Sequence, residues 1–497
     1  MQEKDIKRLV KKQLKKKFPH WKRLSRQEKK RLAEQALEEV TSSYPYDKKV
    51  DARINELTGT PMIPAGVIAL GEMAAFIEES RGFLLDLSSA RCQKHIQDLE
   101  LKAIDALLDD DVLDRLLACE GYTPSMRKIF PHHLLRAELL KSLKYPEFSY
   151  RKYCDQVLNK LEKKTERAFV HLPLRKKLAI SHSQLSQFRS GLKLVQLVNL
   201  AVYVIHLLIE SGKLAHPFSI CGVDSSELPV ISNSFPLATA EIGDKKVRIY
   251  ADLDADCGTR RNKRDKSKYF VGYRAHTLAA IDPATGRNYP LFSLIAPGNH
   301  HDSLLLSQLM CFAEAMGLKT KIITADEAYG DAEQNAALHK AHGVSVVTPP
   351  SRKVKAPENV DGQNGFVYRD EFCETAMNYL GRTETGHEFK CGDNGDCPRS
   401  VVCSQYRELG FDSGLFGQIP NQVAGFDDAL AIRKHMERAY NLLKHREGLE
   451  PLRVRSQPGV MCVSTFAHMS TLLLEIVGTR RTKIKEYPVQ RKLDLAS

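Results

Sequence analysis

The hydrophobic period of this 497-residue chain changes at Gly212, and that change limits the folds open to it. Upstream, apolar residues recur at helical spacing. Ile6, Val10 and Leu14 fall every four residues in DIKRLVKKQLKKKF, and DLELKAIDALLDDDVLDRLL at Asp98–Leu117 keeps the same period. Downstream, short apolar runs are bounded by turn residues. PFSICGVDSSEL is one such run, and KYFVGYRAHTLAAID and YPLFSLIAPGN flank PATGR, which reads as a hairpin. SLLLSQLMCFAEAMG is helical again, and TKIITAD and GVSVVTPP are two more strands. Three strands followed by helix, strand, helix and strand predict an α/β fold with a mixed sheet, behind a mostly helical N-terminal region. The length exceeds what one ordinary core fills, so two to four domains are expected.

The formal charge of +13 is unevenly spread. Residues 1–35 hold 14 Lys or Arg against 4 acids, and TRRNKRDKSK at Thr259–Lys268 holds six basic residues and one acid. Two separated basic segments, the second contributing Arg260, Arg261, Lys263 and Arg264, fit a polyanionic partner such as DNA; a solvated tail and a mobile loop are the plainer alternatives. The most apolar stretch, Leu194–Ile209, is interrupted by Gln196, Asn199 and His206 and is shorter than the ~20 residues that span a bilayer, so it reads as a buried helix. A basic N-terminus without a following apolar segment predicts no secretory signal. Eleven scattered cysteines predict reduced thiols and a cytoplasmic compartment, with no membrane. Ser181 is an apparent N-cap for SHSQLSQFRSGLKL, a segment that fits either a helix-turn-helix or an ordinary helical hairpin. Trp21, the only tryptophan, is expected to anchor the first helix; base stacking is the other use for it.

Chemistry concentrates in three acids. Asp224 ends the first apolar run of the α/β unit and Asp326, in KIITADEAYGD, ends the fourth. Side by side in one sheet, the two would emerge at the same edge. Neighbouring carboxylates repel unless protonated or bridged by cations, and hard oxygen ligands suit Mg²⁺. The third acid is expected from elsewhere, with Glu437 in RKHMERAYNLLK the candidate. Arg433 and Lys444 lie on related faces of that helix, as phosphate-binding cations would. Glu327 is expected to point away from Asp326, and Asp331 to cap the helix that follows. In GNHHDS at Gly298–Ser303, turn formation and capping by Asp302 or Ser303 are preferred to metal binding.

From about Gly212 to Leu473 the chain resembles the catalytic domain of bacterial insertion-sequence DDE transposases, which have an RNase H-like fold. The matching stretches, in order, are GVDSS around Asp224, YFVGYRAHT, APGNHHDS, TADEAYGD around Asp326 and RKHMERAYNLLK around Glu437. The family's last motif runs Tyr, two residues, Arg, three residues, Glu, six residues, Lys. Arg433, Glu437 and Lys444 keep that spacing, while Leu430 stands in the Tyr position. Asp224 and Asp326 are 102 residues apart and Asp326 and Glu437 are 111 apart, the longer gap fitting the insertion many relatives carry there.

The resemblance implies five segments: a basic helical region (1–140), a helical segment with a possible helix-turn-helix (141–212), the first part of the catalytic domain (213–350), a cysteine-containing insertion (351–425) and the last catalytic helices with a tail (426–497). It implies that Asp224, Asp326 and Glu437 hold two Mg²⁺ (or Mn²⁺) ions roughly 4 Å apart, one activating water and later a 3′-hydroxyl. Arg433, Lys444 and the 259–268 run would contact double-stranded DNA at element ends and target, in a homodimer or larger assembly associated with the bacterial nucleoid. Cys373, Cys391, Cys397 and Cys403 lie within 31 residues and offer four thiolates to a structural Zn²⁺, with His387 as an alternative ligand. Two other functions stay open: a catalytically retired, transposase-derived DNA-binding regulator, and an RNase H-like nuclease that cuts without joining.

Overall fold

The computed structural model describes residues 3–43, 63–83, 93–118, 129–174, 178–230, 235–242, 245–259, 269–300, 302–349, 356–361, 365–373, 375–392, 406–410, 420, 423, 425–446, 449–450 and 452–478. Up to Gly212 the described elements are helical: α1 (Glu3–Lys17), α2 (Arg26–Ser43), α3 (Leu70–Ser80), α4 (Leu99–Leu107), α5 (Asp110–Leu117), α6 (Pro131–Lys144), α7 (Tyr150–Tyr153), α8 (Lys164–Phe169), α9 (His182–Gly191) and α10 (Leu194–Glu210). Strands follow: β1 (Phe218–Pro229), β2 (Ala238–Ile242), β3 (Lys245–Ile249), β4 (Asp256–Thr259), β5 (Tyr269–Ile281) and β6 (Asn288–Pro297). Then come α11 (Asp302–Ala315), β7 (Thr320–Thr324), α12 (Ala332–His342) and β8 (Ser345–Val347). A small antiparallel sheet of β9 (Asn378–Arg382), β10 (Gly386–Lys390) and β11 (Tyr406–Gly410) precedes the closing helices α13 (Phe426–Arg433), α14 (His435–Asn441) and α15 (Gln457–Ile476).

The helical periods hold. Ile6, Val10 and Leu14 are fully buried, but the surface they cover comes from far along the chain. They pack with Ala33, Ala36, Leu37 and Val40 against Leu237, Ala238, Val247 and Ile249 of the β2–β3 hairpin. Trp21 belongs to this cluster and donates from Nε1 to the Ala251 carbonyl at 3.3 Å, the anchoring role expected of it. Part of the basic charge is neutralised where α1 docks: Lys7 pairs with Asp256 at 3.1 Å and Lys15 with Asp254. Arg8, Lys12, Lys16, Arg23, Arg26, Lys30 and Arg31 stay exposed.

The Leu194–Ile209 stretch is α10, buried from Gln196 to Ile205. Its two buried polar interruptions have backbone partners, as burial demands. Gln196 Nε2 donates to the Leu117 carbonyl at 2.8 Å, and Asn199 Nδ2 donates to the Gly66 carbonyl at 3.0 Å. Ser181 caps α9 with Gln184 in a reciprocal box, and α9 meets α10 at 96°. The middle of α10 is core, and α9 exposes His182, Ser186 and Gln187. Among the described residues, α15 alone is long and apolar enough to cross a membrane, and most of it is buried against α10 and β6.

The main sheet is mixed. β5 pairs antiparallel with β1 on one side; on its other side β4 and β6 follow one another, opposite Tyr269–Gly272 and Tyr273–Ile281. β1, β7 and β8 run parallel. The PATGR hairpin forms as expected. Three glycines of this region mark close backbone crossings: a Cβ on Gly272 would meet the Leu228 carbonyl at 2.2 Å, one on Gly258 the Gly298 carbonyl at 2.4 Å, and one on Gly298 the Asp256 carbonyl at 2.8 Å. Glycine in YFVGYRAHT and APGNHHDS thus has a packing reason. α11 begins at Asp302; the Asp302 and Ser303 side chains expected to cap it lie outside the described residues.

Two histidines tie the layers together in neutral form. His468 of α15 lies 2.9 Å from the Pro290 carbonyl through Nδ1 and 2.7 Å from Ser293 Oγ through Nε2, with Thr277 Oγ1 next in line at 2.6 Å. Burial pushes the pKa of His468 down to about 4 and that of His276 down to about 3. Since both values fall below the unfolded-chain value of about 6.5, the unfolded state binds more protons as pH drops. Stability is therefore complete above pH ~6.5 and declines toward pH ~4, by up to about 1.4 kcal/mol per pH unit for each histidine. Urea titrations at pH 7 and 5 should show this decline, and His468→Gln should flatten it; an equal slope in the variant would remove His468 from the account.

Candidate active site

β1 and β7 place two of the three acids side by side. Their parallel register ends at the pair Gly222–Thr324, and Asp224 and Asp326 each follow that pair by two residues. Facing follows from alternation. Ile220 and Ile322 belong to a cluster with Phe426, Ala429 and Ile432 of α13, and Thr324 Oγ1 donates to the Ala429 carbonyl at 3.0 Å. Cys221, Val223, Ile323 and Ala325 belong to the core on the opposite face. Asp224 and Asp326 share parity with the first set, so both lie on the face that α13 and α14 cover.

Asp224 does not end its strand, contrary to expectation. β1 continues to Pro229 because Asp224–Pro229 stay paired with Gly272–Thr277 of β5 after the β7 ladder has stopped at Gly222. Asp224 therefore sits where the sheet narrows beside the carboxyl end of a parallel strand, the position at which open α/β sheets bind ligands. Asp326 follows β7 in extended conformation, and its Oδ1 accepts from Ala328 N at 2.9 Å, capping the single helical turn Glu327–Tyr329. That turn, and not strand alternation, sets the direction of Glu327. Asp331 caps α12 through Gln334 N at 3.0 Å, as expected.

Glu437 is carried to this edge by α14. Met436 is fully buried and lies over Gly222, and Tyr440 Oη lies 2.5 Å from the Asp224 carbonyl and 2.9 Å from that of Ala275. Glu437, between these two anchors, is exposed. Asn288 Nδ2 donates to the His435 carbonyl at 2.5 Å and fixes the start of the helix. The long late helix expected from RKHMERAYNLLK is broken: α13 ends at Arg433, α14 begins at His435, and Leu442–Arg446 form a wide π turn. The π turn removes the regular phase that relates Lys444 to Glu437, and Lys444 Nζ bonds Glu450 Oε2 at 3.1 Å. Leu430, at the motif's Tyr position, is partly buried against the α13 cluster.

Tyr440, Met436 and Gly222 are positioning residues that sequence reasoning passed over, although each lies within a matched stretch. A Cβ on Gly222 would fall 2.7 Å from Met436 Sδ and 3.1 Å from Ile281 Cδ1. Gly222→Val is therefore expected to push α14 off β1, costing about 1–3 kcal/mol in a thermal melt. An unchanged melt would mean that the seat of α14 is unimportant.

Arg260, Arg261, Lys263 and Arg264 lie outside the described residues, as do Cys397 and Cys403. Cys373 and Cys391 are half-buried and unoxidised, with Cys373 Sγ 3.4 Å from Asp370 Oδ1. His387 is fully buried in the small sheet, its Nδ1 3.4 Å from Tyr379 Oη, beside the cluster of Val367, Met377, Phe389 and Leu409.

No family model matches the chain, and no curated protein matches it. Among solved structures, the cryo-EM structure of the piggyBac transposase synaptic complex with hairpin DNA is similar at 10% identity over 80% of this chain and 77% of that one, with a TM-score of 0.31. At that score the likeness decides nothing about this chain's activity.

Proposed function

We propose that this chain is a DDE transposase with an RNase H-like catalytic domain that cuts and joins insertion-sequence DNA ends. The observation that carries the reading is that Asp224 and Asp326 each follow the last pair of the parallel β1–β7 ladder by two residues, and that the helix bearing Glu437 is bonded to the backbone of Asp224 through Tyr440. A hairpin of β5 and β6 joined through β1 to two further parallel strands supports the RNase H-like part. Three carboxylates form a hard, all-oxygen donor set, which fits Mg²⁺ or Mn²⁺ and not a softer ion. When bound, such ions supply charge stabilisation and an activated oxygen nucleophile for phosphodiester chemistry. The chain's own part would be to fix the ligands: the β1–β7 ladder would bring Asp224 and Asp326 near one another, and Tyr440 and Met436 seat on β1 the helix that carries the exposed Glu437. Arg433, exposed cations of α1 and α2, and the 259–268 run would neutralise DNA phosphates and set register without reading sequence. Lys444 joins them on release from Glu450. A retired regulator is disfavoured by the retention of all three acids at one edge.

The test is a strand-transfer assay. Full-length protein, Mg²⁺ and the terminal DNA of its own element should give 3′-hydroxyl ends and then covalent joining to a target duplex. Cleavage without joining would leave the nuclease reading, and binding without cleavage the regulator.

A further inference from the structure

Far from these acids in sequence, a second set of ligand-type side chains converges among the N-terminal helices. Asp110 at the start of α5, His132 at the start of α6 and His171 just after α8 bring one donor atom each within 4.8 Å of one another. Asp110 Oδ2 lies 2.5 Å from His171 Nδ1 and 3.6 Å from His132 Nε2. The outer ring nitrogens are already engaged by carboxylates: His132 Nδ1 lies 3.0 Å from Asp114 Oδ1, and His171 Nε2 lies 2.8 Å from Asp105 Oδ1. Arg136 holds Asp110 by its other oxygen, Nε to Oδ1 at 2.7 Å. Histidine facing inward with its far nitrogen on a carboxylate is the arrangement that orients imidazole toward a metal.

We infer that Asp110, His132 and His171 form a buried site for a zinc-class divalent cation, which staples α5, α6 and the segment after α8. Charge supports it. Asp105, Asp110 and Asp114 bring three negative charges into a buried cluster, and Arg136 returns one. His171, with both ring nitrogens on carboxylate oxygens, is held as the imidazolium and returns a second, and a divalent ion at the site would replace its proton and balance the charge that remains. Asp105 Oδ2, a buried oxygen with no hydrogen-bond partner, adds a second and independent sign that a cation is missing from the balance. Two imidazoles and one carboxylate suit zinc better than magnesium or calcium, and the small exposure of all three side chains, at most 11%, shields the site and leaves its fourth position to a water.

The experiment uses the full chain, expressed with zinc and purified without chelator. Metal content is measured, and zinc-edge X-ray absorption identifies the scatterers, since the cysteines offer thiolates elsewhere. One equivalent of zinc with imidazole nitrogen and oxygen neighbours is expected, together with a fall of one equivalent in His132→Asn and in His171→Asn. If these variants fail to fold, the spectrum of the unaltered protein decides alone. No bound zinc, or a spectrum accounted for wholly by sulfur, overturns the site, as does full zinc retention by both folded variants.

Discussion

Asp326→Asn is expected to abolish Mg²⁺-dependent DNA cleavage while leaving DNA binding and folding largely intact. The side chain sits beyond the carboxyl end of β7, half-buried, and its Oδ1 caps the next turn by accepting from Ala328 N. Asparagine keeps an oxygen for that cap, so the turn Glu327–Tyr329 should persist. It removes the negative charge that a hard divalent ion needs from a ligand. The parallel register fixes Asp224 two residues past Gly222 irrespective of Asp326, so the loss is confined to chemistry. Gel-shift and cleavage assays on one preparation separate the two. Cleavage by the variant at the unaltered rate would exclude Asp326 from the site.

Arg136→Met is expected to have the largest effect on stability, about 3–5 kcal/mol, because it leaves buried carboxylates without their guanidinium. Arg136 is fully buried. It donates to Asp105 Oδ1 and Asp110 Oδ1 at 2.7 Å each and to the Leu108 carbonyl at 2.9 Å, joining α4, α5 and α6. Burial alone would lower its pKa, but Asp110 and Asp105 outweigh burial and raise it. Lysine cannot reproduce the forked geometry, so Arg136→Lys should recover little. Equilibrium urea unfolding measures both, and a loss below about 1 kcal/mol would show that another charge balances the carboxylates.

How far the sequence anticipates this structure depends on whether the partner of each residue is local. Ile6, Val10 and Leu14 announce a helix through spacing alone, Asp331 announces a cap, and PATGR a hairpin, since each signal is complete within a few residues. The surface that α1 covers, the β2–β3 hairpin, lies more than 200 residues away and leaves no trace near Ile6. The extension of β1 past Asp224 is set by β5 in the same way. The break at Lys434 and the π turn after Asn441 depend on how Met436, Tyr440 and Leu443 seat on the sheet, which helical periodicity does not encode. Of the site, the three acids stood out by motif and by strand position. Tyr440 and Gly222 read as ordinary residues until the helix is placed. Asp105, Asp110, Asp114, His132, Arg136 and His171 are spread over 67 residues with no spacing that links them, and only folding brings them together inside the helical core.

The most direct test of the central claim is a metal-specificity switch at Asp326. Asp326→Cys exchanges a hard carboxylate for a soft thiolate, which Mg²⁺ disfavours and Mn²⁺ tolerates better. With end DNA, the variant is predicted to cleave nothing in Mg²⁺ and to regain cleavage in Mn²⁺. Cleavage in Mg²⁺ equal to that of the unaltered protein would contradict the assignment of Asp326 as a metal ligand.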